Sequence, residues 1–233
     1  MYLLTKKLIF PPPDWADPDG MLAVGGDLSV ERLLLAYQMG IFPWFSRGEP
    51  ILWWSPDPRF VLFPAELKVS KSMKQVFKKG QFAITLDTRF EEVVNTCRHI
   101  KRQGQSGTWI TPSMAKAYCE LHQAGYAHSV EVWDTQTGAL AGGLYGISLG
   151  AHFYGESMFS RQSNASKAGF ITLVHLLAQR GFTLIDCQMH TEHLESLGAR
   201  NIPRSDFLQL LAQNRHHPTL TSKWRWDDSF LPQ

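Results

Sequence analysis

Little in this sequence points to a scaffold held by covalent or metal bonds. Cysteine is scarce: Cys97, Cys119 and Cys187 are far apart and odd in number among 233 residues. That excludes a disulfide framework and fits the reduced thiols of a cytosolic protein. Neither C-x-x-C nor H-E-x-x-H occurs, and His190 with His193, like the adjacent His216 and His217, has no third ligand at a metal-site spacing. No metal is expected. No apolar run approaches the roughly 20 residues of a membrane span. The N-terminal stretch is broken by Lys6 and Lys7 and halted by Pro11-Pro12-Pro13, unlike a signal peptide. A cytoplasmic protein without a membrane partner is expected. Excess charge is small as well, at +2, so contact with nucleic acid would need a local patch rather than a basic field over the whole molecule. The P-loop, the dinucleotide fingerprint and the nucleophile elbow are all missing. Any chemistry must then draw on a substrate that arrives activated, without an enzyme-bound intermediate.

Hydrophobic residues make up 44% of the chain and charged residues 19%, enough to bury an ordinary core at this length. Aromatics reach 12%, with eight tryptophans, so the question is which of them pack and which line a site. Residues 1–60 are rich in Pro, Gly and aromatics and read as a small α/β unit, loop-heavy, with one good helix capped by Ser29 and stopped at Gly40. Further helices are expected from Ser70 to about Gly80, after a capping box of Thr88 with Glu91, and from Thr111–Pro112 to Gly125. Three strand-like runs (128–133, which alternates, 139–147 after a Thr-Gly turn, and 151–159 after Gly150) with short turns predict an antiparallel meander. A helix over 164–180, capped by Ser163 or Asn164, then leads to an apolar strand over 182–186. That crossover implies parallel pairing with the meander. Two short helices, near 191–197 and 203–214, close the chain. Meander, helix, strand is the layout of the acetyltransferase-like (GNAT) fold. The expected class is α+β, with residues 61–233 forming a GNAT-like catalytic domain on a mixed, mostly antiparallel sheet flanked by helices.

Among candidate site residues, Asp186 ends the apolar strand and is followed by Cys187 and Gln188. Strand ends facing a crevice carry ligand contacts in open α/β sheets, and an Asp there can orient or deprotonate an amine. A turn-forming Asp is the plainer alternative. Glu156 lies among aromatics and Met in Tyr154-Gly155-Glu156-Ser157-Met158, where a carboxylate is either paired in a salt bridge or functional. Trp44 and Trp109 sit in turn-rich segments and suit stacking on a nucleobase or packing at a domain interface, whereas Trp53 and Trp54 read as core. Lys71, Lys74, Lys78 and Lys79 share one helix, either as a phosphate track or as a solvated face. The stretch Ser160-Arg161-Gln162-Ser163-Asn164-Ala165-Ser166-Lys167, where an acetyltransferase would hold pyrophosphate, contains no glycine. Coenzyme A as donor is therefore disfavoured.

Several segments resemble the leucyl/phenylalanyl-tRNA–protein transferase family: Gly25-Gly26-Asp27-Leu28; Ala36-Tyr37-Gln38-Met39-Gly40-Ile41-Phe42-Pro43-Trp44-Phe45; Leu52-Trp53-Trp54-Ser55-Pro56-Asp57-Pro58-Arg59; Gly107-Thr108-Trp109-Ile110; Gly155-Glu156-Ser157-Met158-Phe159-Ser160; Asn164-Ala165-Ser166-Lys167; Leu184-Ile185-Asp186-Cys187-Gln188; and Ser196-Leu197-Gly198-Ala199 with Ile202-Pro203-Arg204. The resemblance implies transfer of Leu or Phe, less readily Met, from aminoacyl-tRNA to a protein beginning with Arg or Lys. The product is marked for degradation through the N-degron pathway and the adaptor that feeds ClpAP. It implies no cofactor, because the donor ester is already activated, and a monomeric enzyme. Carried over by motif, Asp186 and Gln188 are the catalytic pair, positioning the amine and helping to remove its proton. Trp44 and Trp109, with Tyr37 and Tyr118 nearby, are candidates for the terminal adenosine. Leu144, Phe153, Met158 and Ile185 are candidates for the donor side-chain pocket, and Glu156 for substrate polar groups such as the acceptor's cation. The rivals are a non-catalytic RNA- or peptide-binding module, which should show a broad basic surface, and an aminoacyl-tRNA-dependent ligase of peptidoglycan bridges, which should show a duplicated fold.

Overall fold

The computed structural model describes residues 2–100 and 109–225. Gly107 and Thr108 of the Gly107-Thr108-Trp109-Ile110 motif lie outside the described residues. The described residues form two sheets. The smaller has the order β1-β2-β4-β3, from β1 (Tyr2–Leu4), β2 (Met21–Gly25), β3 (Phe42–Pro43) and β4 (Leu52–Trp54). Between β2 and β3 in sequence comes α1 (Val30–Gln38), which packs on β3 and whose N-terminus is closed by Ser29 accepting from the Arg32 amide. The expected helix is present and the unit is loop-heavy as expected; four short paired strands that the sequence did not show lie among the loops. Strands of two to five residues are too short to show a readable alternation.

The larger sheet runs β11-β5-β10-β9-β8-β7-β6. Its members are β5 (Arg59–Leu62), β6 (Phe82–Leu86), β7 (Ala127–Asp134), β8 (Leu140–Leu149), β9 (His152–Ser160), β10 (Leu184–Gln188) and β11 (Arg200–Ile202). Among the described residues its pairings are antiparallel except β9 with β10. That parallel pair follows from the crossover through α5 (Ala165–Gln179), as the sequence implied. Meander, crossover helix and parallel strand together make the mixed, mostly antiparallel GNAT-like sheet.

Helices cover both faces. On one, α5 packs on β7 and β8. It is apolar nearly all round because it lies under other elements, including α2 (Lys71–Lys78). It comes close because β8 presents glycine: a Cβ on Gly142 would sit 2.8 Å from the Ala165 methyl. On the other face lie α3 (Phe90–His99) and α4 (Pro112–Gln123). Successive side chains of β8 divide between the two cores, Leu144 with the α5 side and Tyr145 with the α3–α4 side. The second core also takes Leu22, Tyr37 and Trp53 from the first sixty residues, so it continues beneath the small sheet. Short helices α6 (Glu192–Glu195) and α7 (Arg204–Asn214) complete the chain's regular structure.

Two capping expectations are corrected. Thr88 does not cap α3: its hydroxyl donates to Glu131 Oε2 at 2.7 Å, and Arg89 is the N-cap with no side-chain bond. The buried Glu131 carboxylate, which also takes Thr85 and Ser129 hydroxyls, outcompetes a local cap. Asn164 stands at the start of α5 with φ 71°, but its side chain makes no cap bond; the Ser166 amide is met by Ser160 Oγ at 3.3 Å instead.

Candidate active site

The strands β9 and β10 run paired from Leu184↔His152 to Asp186↔Tyr154. β10 then bulges, with a register shift on β5 between Asp186 and Gln188, and Gln188 takes φ 64°. A cavity of about 380 Å³ lies in this region, where the paired strands give way. Its apolar wall includes Leu144, Phe153, Met158, Phe170, Ile185 and Leu194, and its polar wall includes Glu156, Ser157, Gln188, Thr191 and His193. Apolar shape with few polar groups is the usual make-up of a small-ligand site.

The four expected side-chain pocket residues, Leu144, Phe153, Met158 and Ile185, are thus brought together with Glu156 and Gln188. Glu156 is buried and receives three neutral donors: Tyr37 Oη to Oε1 at 2.8 Å, Tyr118 Oη to Oε2 at 2.5 Å and Gln188 Nε2 to Oε1 at 2.9 Å. No cation pairs with it among the described residues, so the salt-bridge alternative is overturned. Burial pushes its carboxyl up to about 7, the three hydrogen bonds acting against the rise and the Asp186 charge adding to it.

Tyr37 and Tyr118 need correction as adenosine neighbours. Both are fully buried at apolar positions of α1 and α4, and their hydroxyls are spent on Glu156. They offer no face to a base; they hold Glu156 in place. Burial, with the Glu156 charge next, drives both phenols well above their ordinary range.

Asp186 sits behind the cavity wall rather than in it. It is fully buried and gripped two-pronged by Arg59, Nε to Oδ1 at 2.8 Å and Nη2 to Oδ2 at 2.6 Å. Oδ1 also accepts the Gln188 amide at 2.9 Å. Arg59 in turn donates to the Gly40 carbonyl and lies between the Phe42 and Phe207 rings, 4.8 and 4.6 Å from their centroids. A carboxylate so engaged fixes the turn that presents Gln188 and does not face an incoming amine. Arg59, placed in the sequence only as the end of a motif, is the partner that reading missed. A lone Arg opening the apolar run Phe60-Val61-Leu62 was its one signal.

Trp44 and Trp109 are not on the cavity wall. Trp44 is 38% exposed, edge-on to Trp54 at 5.6 Å, and its carbonyl accepts the Trp54 indole N–H. Trp109 is half-buried against the α3–α4 side core. Trp53 is fully buried, as expected. Lys71, Lys74, Lys78 and Lys79 are all exposed along α2. Cys187, another wall residue not foreseen, has its thiol driven up by burial first and by the Asp186 charge second.

Comparison with known proteins bears on what this site serves. Residues 61–212 match the family model described as leucyl/phenylalanyl-tRNA protein transferase, and residues 26–57 match the model of that family's N-terminal domain. A leucyl/phenylalanyl-tRNA–protein transferase of Desulfatibacillum aliphaticivorans is 56% identical over 96% of this chain and 95% of its own. That of Syntrophus aciditrophicus is 58% identical over 95% and 92%, and that of Anaeromyxobacter sp. 53% identical over 100% and 98%. Among solved structures, a GCN5-related N-acetyltransferase from Sphaerobacter thermophilus aligns at TM-score 0.41 and 11% identity, covering 82% of this chain and 60% of that one. That likeness is too slight to carry an argument, and the fold rests on the sheet order itself. With both family models matched in sequence order and near-full-length relatives above half identity, the chain belongs to the leucyl/phenylalanyl-tRNA protein transferase family and is an aminoacyltransferase.

Proposed function

We propose that this enzyme moves Leu or Phe, and Met less readily, from aminoacyl-tRNA to the N-terminal Arg or Lys of acceptor proteins. The new N-terminus marks them for degradation in the cytoplasm, where the enzyme acts as a monomer. The observation that carries this reading is the apolar cavity bounded at one side by Glu156 and Gln188. A donor side chain unbranched at Cβ enters between Leu144, Phe153, Met158 and Ile185, which leaves the ester carbonyl near the polar wall. The acceptor α-amine attacks that carbonyl. Its reference pKa of about 7.7–8.0 means that only a modest push is needed to free the lone pair. The donor ester supplies the driving force, so the reaction calls for no coenzyme.

Gln188 is the polar group that meets the reacting ends, and Asp186 is the positioning residue behind it, holding its backbone through Oδ1. The exposed face of Trp44, backed by Trp54, suits a nucleobase; such stacking contributes about 1–3 kcal/mol per base. The test uses radiolabelled Leu-tRNA with one peptide beginning with Arg and one beginning with Glu. Label is expected on the first alone. Equal label on both, or on neither, removes the acceptor assignment.

A further inference from the structure

Glu156, Tyr37 and Tyr118 close a ring of three oxygen contacts. Tyr37 lies 3.0 Å from Tyr118, Tyr118 lies 2.5 Å from Glu156 Oε2, and Tyr37 lies 2.8 Å from Glu156 Oε1. Three contacts call for three protons. With Glu156 ionised the ring owns two, the two phenol protons, and one contact sets lone pair against lone pair. A proton on Glu156 completes the circuit. The phenols stay protonated throughout, held far above their ordinary range by burial and then by the Glu156 charge. The ring is thus built around a carboxyl that can take up one proton and give it back.

The carboxyl also has room for a substrate N–H. An ionised carboxylate offers about four lone-pair sites. Tyr37 and Gln188 occupy Oε1, and Tyr118 occupies one side of Oε2. Among the described residues the remaining site is on Oε2, in a group that lines the cavity. Asp186 offers nothing comparable, since Arg59 engages both of its oxygens away from that wall.

We infer that Glu156 is the catalytic residue that receives the acceptor amine's proton and returns it to the departing ribose oxygen, with Tyr37 and Tyr118 as its positioning residues. This rests on the aminoacyl transfer proposed above. In the step, the amine nitrogen bonds to the ester carbonyl carbon and the carbon–oxygen bond to the terminal ribose breaks. The nitrogen's proton passes to Glu156 Oε2 and then to the ribose oxygen, which leaves as a hydroxyl. The enzyme ends as it began. A carboxyl pushed up to about 7 is well matched to an amine of about 7.7–8.0. The groups facing it are Tyr37 from α1, Tyr118 from α4, and Gln188 and Asp186 from β10, the last already paired with Arg59; Tyr145 of β8 lies edge-on to Tyr118.

The test is single-turnover transfer from Leu-tRNA to an Arg-initial peptide across pH. In the wild type the rate should fall on the acid side with a midpoint near 7. Glu156→Gln should lower the maximal rate by about 10²–10⁴-fold, remove the limb near 7 while leaving the limb of the acceptor amine itself at about 7.7–8.0, and leave the donor KM little changed. Tyr118→Phe removes a donor to the ionised form and a ring member that the protonated form uses, so the limb should move from its wild-type position. If Glu156→Gln fails to fold, this shift decides. A Glu156→Gln rate within about threefold of wild type with the limb intact overturns the proposal, as does a limb that Tyr118→Phe leaves in place. Infrared difference spectra taken on either side of pH 7 read the same carboxyl without substrate. A protonated-carboxyl band on the acid side that vanishes in Glu156→Gln is expected, and its absence from the wild type overturns the proposal even if no peptide is labelled. Wild type that shows the band but leaves the Arg-initial peptide unlabelled strikes the acceptor assignment instead.

Discussion

Arg59 and Asp186 meet as an ion pair with neither side chain more than 1% exposed, tying β5 to β10 directly behind the cavity. Two hydrogen bonds, the Gly40 carbonyl and two aromatic faces complete the Arg59 shell. Breaking such a pair from one side leaves a bare buried charge. Arg59→Met should therefore cost about 3–5 kcal/mol. Arg59→Met with Asp186→Leu removes both charges and should recover much of that loss. Urea unfolding of the single and double variants checks this, and equal destabilisation would count against a charge-based origin.

The pair also bears on turnover. Asp186→Asn keeps the shape of the side chain but loosens the Gln188 turn that Oδ1 secures. A misplacement of about 1 Å can cost about 100-fold in rate. Transfer should fall by about 10- to 100-fold while a nonhydrolysable donor analogue binds as before. Unchanged kcat would remove Asp186 from the site's machinery.

How far this arrangement can be read from the sequence depends on how locally each part is encoded. The meander, α1 and α5 are legible because stretches of nine or more residues in α1, β8, β9 and α5 are set off by turn residues and stop glycines, with a Ser29 cap on α1. β5 is four residues long and buried throughout, and β11 is three residues long and mostly exposed. Neither has a period to find. The Thr88–Glu91 box fails because Glu131, distant in sequence, satisfies Thr88 through tertiary structure. In the site, Met158 and Ile185 are reachable through their motifs, and Leu144 and Phe153 through their place on the meander strands β8 and β9. Arg59 is not, because an ion pair across 127 residues of sequence leaves no local mark. Tyr37 and Tyr118 occupy the inward faces of helices, and that helical spacing spoke for burial over stacking.

His152 links stability to pH. It is 2% exposed, its Nδ1 has no hydrogen-bond partner among the described residues, and burial, the largest cause, holds its pKa down to about 4 from 6.5 although the Asp186 charge pulls upward. A folded-state value below the unfolded one means that the unfolded chain binds the proton more readily. The stabilisation is complete above pH 6.5 and is lost as pH falls toward about 4, in all about 3 kcal/mol. Glu156 acts oppositely: its carboxyl is raised from 4.5 to about 7, so protonation over that range favours the fold. The diagnostic is therefore a difference. His152→Leu should gain on wild type as the solution is acidified from pH 7 to pH 5, by about 1–2 kcal/mol in urea unfolding. A constant difference across that range would exonerate His152.

Trp44 is the exposed aromatic set against Trp54. If it stacks on the donor's terminal base, Trp44→Ala should raise the KM for Leu-tRNA by roughly 5- to 100-fold, the equivalent of about 1–3 kcal/mol. The KM for the acceptor peptide should not move. An effect confined to the acceptor would assign Trp44 to the other substrate.

Donor choice should be graded, because it rests on apolar shape. Met158 is half-buried on the cavity wall, and its flexible thioether can yield to fit the occupant. Cutting it back in Met158→Ala enlarges the space that a donor side chain fills. Leu, the smaller of the two donors, then loses contact that Phe keeps. A methylene gained or lost in an apolar pocket changes discrimination by only about 1–3 kcal/mol. The ratio of kcat/KM for Phe-tRNA over Leu-tRNA should therefore rise by about 10-fold, without excluding Leu. Measuring both donors in one competition assay cancels any loss of stability common to them. If the ratio stays at its wild-type value while overall activity falls, Met158 supports the fold of the wall and the donor side chain lies elsewhere.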